Sequence, residues 1–277
     1  MRLRGGMLAT PVRWYRHPGT GRSLVLVLNN HVGTRGYFET MRLRIAELED
    51  RGAAVYAEGI SAAPDTVWET ATADERAARD VLRTFYHDRP IVMAAGLGWV
   101  FQDALRPGAG WANPDMTDLG LIRLGGTEPI LEMGRIAAES TAKLGADCET
   151  RYMQAVAPVI YRRLARPHAW LTRVVTNLAP DLYSVLLEYR SKLAVRYIDP
   201  QRDAVMIYGA EHADTLDTAL AEAGWMFTGR VRWLNVGQLP PLHTTIADVV
   251  AMAFEVGKHL NEQSQAARDR PASAAAA

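Results

Sequence analysis

Cysteine is almost missing from this chain: Cys148 is the only one in 277 residues, which excludes an internal disulfide and any cysteine-based zinc site. Net charge is missing too. Lys+Arg and Asp+Glu each number 31, so no basic excess points to nucleic acid or to an anionic membrane. Long apolar runs are absent: stretches such as Leu24–Leu28 fall far short of the ~20 residues a spanning helix needs. Met1–Gly6 is basic, but Met7–Val12 is too short and too polar for the apolar core of a signal peptide. The expected location is therefore cytoplasmic. Several catalytic signatures are lacking as well. There is no Gly-x-Ser-x-Gly elbow, which disfavours an ordinary serine hydrolase. Neither a P-loop nor His-Glu-x-x-His occurs, and Gly96-Leu97-Gly98 lacks the third glycine of a dinucleotide fingerprint. Any catalytic centre has to be assembled from residues far apart in the chain.

What is present reads as an α/β protein. Hydrophobic content of 48% and charged content of 22% suit a globular chain able to bury a sizeable core. Residues 1–261 read as a single α/β domain and residues 262–277, polar at first and then poly-Ala, as a disordered tail. Pro11–Tyr15 and Ser23–Leu28 read as strands around a Gly19-Thr20-Gly21 turn. The second is a continuous apolar run, as expected of a strand covered on both faces. Phe38, Met41, Ile45 and Leu48 then fall at helical spacing, with Arg42, Arg44, Glu47 and Glu49 between them and Gly52 placed to end the helix. Ala53–Ala57 returns to strand. Thr70–His87 reads as helix, Ile91–Ala95 as another strand, and Arg106–Asp118 as a loop rich in turn formers. Residues 127–193 are mostly helical in pattern, interrupted at Pro158, Pro167 and Pro180; such an excursion can cap a site or form a homodimer interface. Asp203–Tyr208 and Phe227–Leu234 read as strands, Thr215–Ala223 and Ile246–Leu260 as helices. The expected architecture is a mostly parallel central sheet flanked by helices, with the excursion over the site.

Three strand-like runs end on polar residues able to carry acid–base chemistry or hold a metal. Asn30-His31-Val32-Gly33 follows the first, Glu58 the second, and Gly209-Ala210-Glu211-His212 the third. In open α/β sheets, ligands bind in the crevice beyond the carboxyl ends of the strands. A lone buried carboxylate such as Glu58 is costly unless paired or metal-bound; a salt bridge at the sheet rim is the plain alternative. Arg190, on a helix, could clamp a substrate carboxylate or a developing oxyanion, or simply be an exposed helix charge paired with Glu188. Gln102, Asn113 and Asp115 are further candidates for contact with substrate, as is Asn30 beside the first histidine.

The order of these parts resembles the TraB/PrgY/GumN and Tiki family, relatives of the erythromycin esterase and ChaN-like proteins. A strand leading to histidine, a helix, a strand ending in glutamate, a helical middle with an arginine, then a strand and Gly-x-x-His span roughly Val12 to Gly237. Pro11–His17 and Ala46–Gly59 are also similar to members of the family. Gly209-Ala210-Glu211-His212 keeps the second family motif in full, whereas Leu28-Asn29-Asn30-His31 keeps the histidine of the first and loses its glycine. The resemblance implies an EreA/ChaN-like fold and metal-dependent hydrolysis of an acyl bond in a peptide or small molecule. His31, Glu58, Arg190 and His212 would be the catalytic set. His31, Glu58 and His212 would be ligands to Mn, Co, Fe or Zn. A metal-free version makes a histidine the general base with Glu58 orienting it. The alternatives are a non-catalytic member that binds a ligand or metal, and a tailoring enzyme that uses the same pocket.

Overall fold

The computed structural model describes residues 1–165 and 180–268. The chain opens with β1 (Arg2–Arg4), β2 (Met7–Arg16), β3 (Ser23–Asn29) and a short β4 (Val32–Gly33). Helix α1 (Arg35–Glu49) starts on Thr34, whose side chain accepts from the Tyr37 amide, and leads to β5 (Ala54–Ala57). Next come α2 (Asp65–Trp68), α3 (Ala73–Arg83), a π-helical turn (Thr84–Asp88), α4 (Arg89–Gly96) and β6 (Val100–Phe101). After a 3₁₀ turn at Gln102–Leu105 and a loop come α5 (Asp118–Gly125), α6 (Thr127–Leu144) and α7 (Ala146–Leu164). Beyond the undescribed residues, α8 (Pro180–Tyr183) passes through a second π turn (Ser184–Tyr189) into α9 (Arg190–Arg196). β7 (Ala204–Gly209), α10 (Ala213–Glu222), β8 (Met226–Gln238) and α11 (Leu242–Arg268) complete the order.

The sheet is mixed rather than mostly parallel. β3 and β5 both run parallel to β7, which lies between them, whereas β2 pairs antiparallel with β1, β3 and β8. The parallel half follows from sequence as anticipated: every residue of β7 is buried, so its apolar run has no polar face to show. Side chains of β3 alternate between two layers. Val25 and Val27 join Phe38, Met41 and Ile45 of α1 and Ala157 and Tyr161 of α7. Leu24, Leu26 and Leu28 join Ala194 and Val195 of α9 and Leu216 and Leu220 of α10. A separate cluster gathers α2, α3, α5, α6 and α8 around Trp68, Leu121, Ile130 and Leu182.

Four expectations need correction. Ile91–Ala95 is helix, not strand: the π-helical turn Thr84–Asp88 runs straight into α4, Pro90 falls at that junction, and a short apolar run does not by itself distinguish strand from helix. Pro158 lies inside α7 without interrupting it, and Pro167 lies outside the described residues. The tail expected from residue 262 is helical as far as Arg268, in keeping with a Glu-Gln-Ser-Gln-Ala-Ala-Arg run rich in helix formers. Among the described residues the helical excursion contacts the site by hydrogen bonds through its final turns, at Arg190 and Ser191, while Tyr161 of α7 lies near Glu211. Tyr161 of α7 packs against Trp99 in the core beneath α1, and Glu149 of α7 pairs with Arg89 of α4.

Candidate functional site

The parallel register brings three strand ends level. Asn29 of β3 lies opposite Gly209 of β7, and Ala57 of β5 opposite Ile207, whose carbonyl accepts from the Glu58 amide at 2.8 Å. His31, Glu58 and the Gly209–His212 turn therefore meet at one edge. Gly209 marks the meeting point. A methyl group there would lie 3.0 Å from Glu58 Oε2, 3.1 Å from His31 Nε2 and 3.6 Å from His212 Cδ2. Its backbone is at φ −52°, so glycine is needed for space and not for conformation.

Glu58 is held from several sides. Oε1 accepts from Arg190 at 2.8 Å and faces His212 Nε2 at 3.3 Å; Oε2 accepts from the Gly209 amide. Burial alone would push this carboxyl up, but His212, Arg190 and His31 together hold it well below the ordinary carboxylate range. It is an ionised group in a protein interior.

Arg190 serves this carboxylate and one other. The residue is 5% exposed, with Nε 2.8 Å from Asp115 Oδ1, Nη2 2.5 Å from Asp115 Oδ2, and Nη1 donating to the Leu186 carbonyl. Those donors face protein, so the guanidinium positions Glu58 and Asp115 and does not reach out to a substrate as a clamp. Burial opposes its charge, but Asp115 and Glu58 reverse that and raise its pKa. Asp115 also accepts from the amides of Gly59 and Met116. Asn113 donates to the Gly59 carbonyl at 2.6 Å and accepts from the Asp115 amide. These two expected substrate contacts thus shape the exit from β5.

The two histidines differ. His212 is buried, and its Nδ1 lies 2.9 Å from Ser191 Oγ, itself 2.8 Å from Thr215 Oγ1. Thr215 donates its hydroxyl hydrogen to the His212 carbonyl, so Ser191 donates to Thr215 and accepts from His212 Nδ1–H. His31 is exposed. Its Nδ1 lies 2.7 Å from Gln102 Oε1, which also accepts from Asn29 Nδ2 at 3.1 Å. An amide oxygen has no hydrogen to give, so Nδ1 carries the proton and the Nε2 lone pair faces the cleft. Gln102 therefore orients His31. Asn30, expected to contact substrate, is buried and turns its side-chain amide to the Val32 carbonyl.

Tyr86 and Tyr208 were not anticipated as partners of this cluster, which they join together with Glu211 of the Gly209–His212 motif. Tyr86 sits on the first π turn, and such turns recur at functional sites. Its ring is 43% exposed, yet crowding by surrounding protein pushes the phenol up to about 12, with Arg190, Glu211 and Glu58 as its charged neighbours. Glu211 is an exposed residue beside the same cluster. Crowding raises its carboxyl, Glu58 adds to the rise, and His31 and His212 oppose it. Tyr208 is fully buried and its ring packs edge-on against His212, while its hydroxyl has no hydrogen-bond partner among the described residues.

The metal set inferred from the family does not fit this arrangement as it stands. Both oxygens of Glu58 are occupied and a guanidinium sits 2.8 Å from one of them, where a divalent ion would meet a fixed positive charge. His212 has Nδ1 on Ser191 and Nε2 on Glu58, which leaves only His31 Nε2 open among the three. Among the described residues no three His, Cys, Asp or Glu side chains are grouped to hold a metal ion.

Comparison of the chain with protein-family models, curated proteins and solved structures gives no match, so the arguments about function start from this geometry.

Proposed function

We propose that the chain is a hydrolase of the TraB/Tiki type that cleaves an acyl bond in a peptide or small molecule, with His31 as general base. One observation carries this reading: His31 Nε2 and Glu58 Oε2 face the same point above Gly209, the first with a free lone pair and the second held ionised. His31 takes a proton from water, the hydroxide adds to the acyl carbon, and the imidazolium returns that proton to the leaving group. Glu58 stabilises the transient positive charge on His31. The Tyr86 hydroxyl, kept protonated by its raised pKa, is a donor for the developing oxyanion. Arg190, Asp115, Ser191 and Gln102 position these groups.

The test is hydrolysis of p-nitrophenyl butyrate and of a mixed peptide panel by the full chain and by His31→Ala. The expected result is a fall in kcat/KM of about 100-fold or more in the variant, the usual scale of general-base catalysis. The melting temperature should not change, because His31 is exposed. Wild-type turnover no faster than the variant on both panels would sink the reading and leave a ligand-binding protein. A metal-dependent version is the second reading, favoured by the convergence of His31 Nε2 and Glu58 Oε2 on one point. It requires Arg190 to release Glu58. Stoichiometric metal in purified protein, absent from Glu58→Gln, would establish it over the first.

A further inference from the structure

A cavity lies in the layer between α1 and the sheet, against the middle of β3 and apart from the His31–Glu58 cluster. Val27, the residue of its floor nearest the cluster along β3, precedes His31 by four residues, roughly 13 Å at the rise of an extended strand. The register defines its floor. Val12 pairs with Val27 and Arg232, and Trp14 with Val25; paired residues in an antiparallel ladder share a face, and alternation adds Arg230 and Leu234. Opposite them, Met41, Arg44 and Leu48 form one stripe of α1 at helical spacing, and Arg51 follows in the turn just past its end.

Positions of this kind normally continue the apolar core. Here four of them are arginines, and the layer opens into a cavity of about 300 Å³, at the lower end of small-molecule sites. Val12, Val25, Val27, Met41 and Leu234 are buried and give it an apolar floor. The lining carries a single carboxylate, Glu47, which pairs with Arg44 at 3.1 Å. Arg230 stacks over the Trp14 ring at 4.2 Å. Among the described residues no carboxylate pairs with Arg51, Arg230 or Arg232. Arg51, Arg230 and Arg232 therefore line one cavity without an acidic partner, and an anion placed among them would accept forked hydrogen bonds.

We propose that this cavity is a second binding site, for an organic anion with an apolar body: a carboxylate or phosphate head among the arginines and a short acyl chain or ring on the floor. The floor alone would accept any apolar group and the rim alone any anion. Their adjacency selects molecules that carry both. The site is independent of the hydrolytic reading, since none of its residues belongs to the cleft.

Octyl phosphate, 1-octanol and inorganic phosphate are the probes, titrated calorimetrically into the full chain at fixed ionic strength. Octyl phosphate should bind one to one and at least 10-fold more tightly than either of the others. Combined Arg51→Gln and Arg232→Gln substitution should weaken it at least 10-fold with the melting temperature kept, since both side chains are exposed. Leu48→Trp, which fills the cavity from its half-buried wall, should also abolish binding, whereas His31→Ala should bind as wild type does. Equal affinity for octanol would remove the arginines from recognition, and equal affinity for inorganic phosphate would remove the floor. Either outcome overturns the site, as does wild-type affinity in the arginine variant or no binding of octyl phosphate at all.

Discussion

The parallel and antiparallel halves of this sheet place their charged residues by different rules. In β3, β7 and β5 both faces are covered, so polar side chains are excluded from the strand bodies and accumulate where the strands stop. Asn29, Asn30 and His31, then Glu58, then the turn after Gly209 all stand at such ends. In the antiparallel half, β8 is an edge strand with mostly exposed residues, and arginines are tolerated in mid-strand. Arg13 of β2 likewise pairs with Asp217 of α10. Charge in the first half is buried, paired and costly to disturb. The arginines of β8 in the second are exposed and cheap to change.

The largest expected effect tests that contrast directly. Arg190→Met leaves two buried carboxylates, Glu58 and Asp115, without their cation. Breaking a buried ion pair by removing one partner typically costs about 3–5 kcal/mol. An exposed charge such as Arg232 should cost less than about 0.5 kcal/mol when changed to Gln. Urea unfolding of the two variants beside the wild type measures both. If Arg190→Met unfolds at the wild-type midpoint, the cluster is not the buried network described, and the contrast between the halves fails.

A smaller effect is expected at the meeting point of the strand ends. Gly209→Ala suits the backbone at φ −52° but brings a methyl group to 3.0 Å from Glu58 Oε2 and 3.1 Å from His31 Nε2. Glu58 cannot yield freely, being held by Arg190 and by the Gly209 amide itself. Overpacking of this kind costs about 1–3 kcal/mol, and the displaced carboxylate should lower turnover as well. Gly237→Ala is a contrasting case on β8, because its methyl would meet only the Trp99 ring, at 2.6 Å. It should destabilise and leave the cleft intact. Unaltered stability and turnover in Gly209→Ala would mean that the three groups do not close on that point.

The same contrast explains what could be read before the fold was known. His31, Glu58 and the Gly209–His212 turn were legible because a strand covered on both faces is written as an apolar run, and the first polar residue after it marks the end. The partners of these residues were not legible. Arg190 meets Asp115 across 75 residues and Glu58 across 132, and nothing local in either segment encodes that approach. Gln102 and Asn113 were visible as polar loop residues, but not that one orients a ring and the other braces a strand exit. Tyr86 was hidden in an ordinary amphipathic helix because a π turn leaves no compositional trace. The mixed sheet was missed because the long pairing of β8 with β2 joins opposite ends of the chain. Arg44 and Arg51 were not legible as cavity residues because both are exposed, and an arginine on or just past a helix reads as solvated unless its tertiary neighbours are known.

The smallest effect is the share of the pH dependence carried by Glu58 in the parallel half. Glu58 is ionised in the folded protein, with its carboxyl held well below its ordinary value of 4.5 despite burial, by His212, Arg190 and His31. A group with a lowered folded pKa contributes stability that is fully present above the unfolded value and is lost as pH falls through the folded one. Unfolding free energy should therefore begin to drop below about pH 4.5, by up to about 1.4 kcal/mol per pH unit for this single group. Other carboxylates contribute to the same limb, so the informative quantity is a difference. In Glu58→Gln the limb should be shallower than in the wild type by close to one proton. Parallel acid limbs for wild type and Glu58→Gln would mean that the buried carboxylate is not the ionised centre on which the cleft is built.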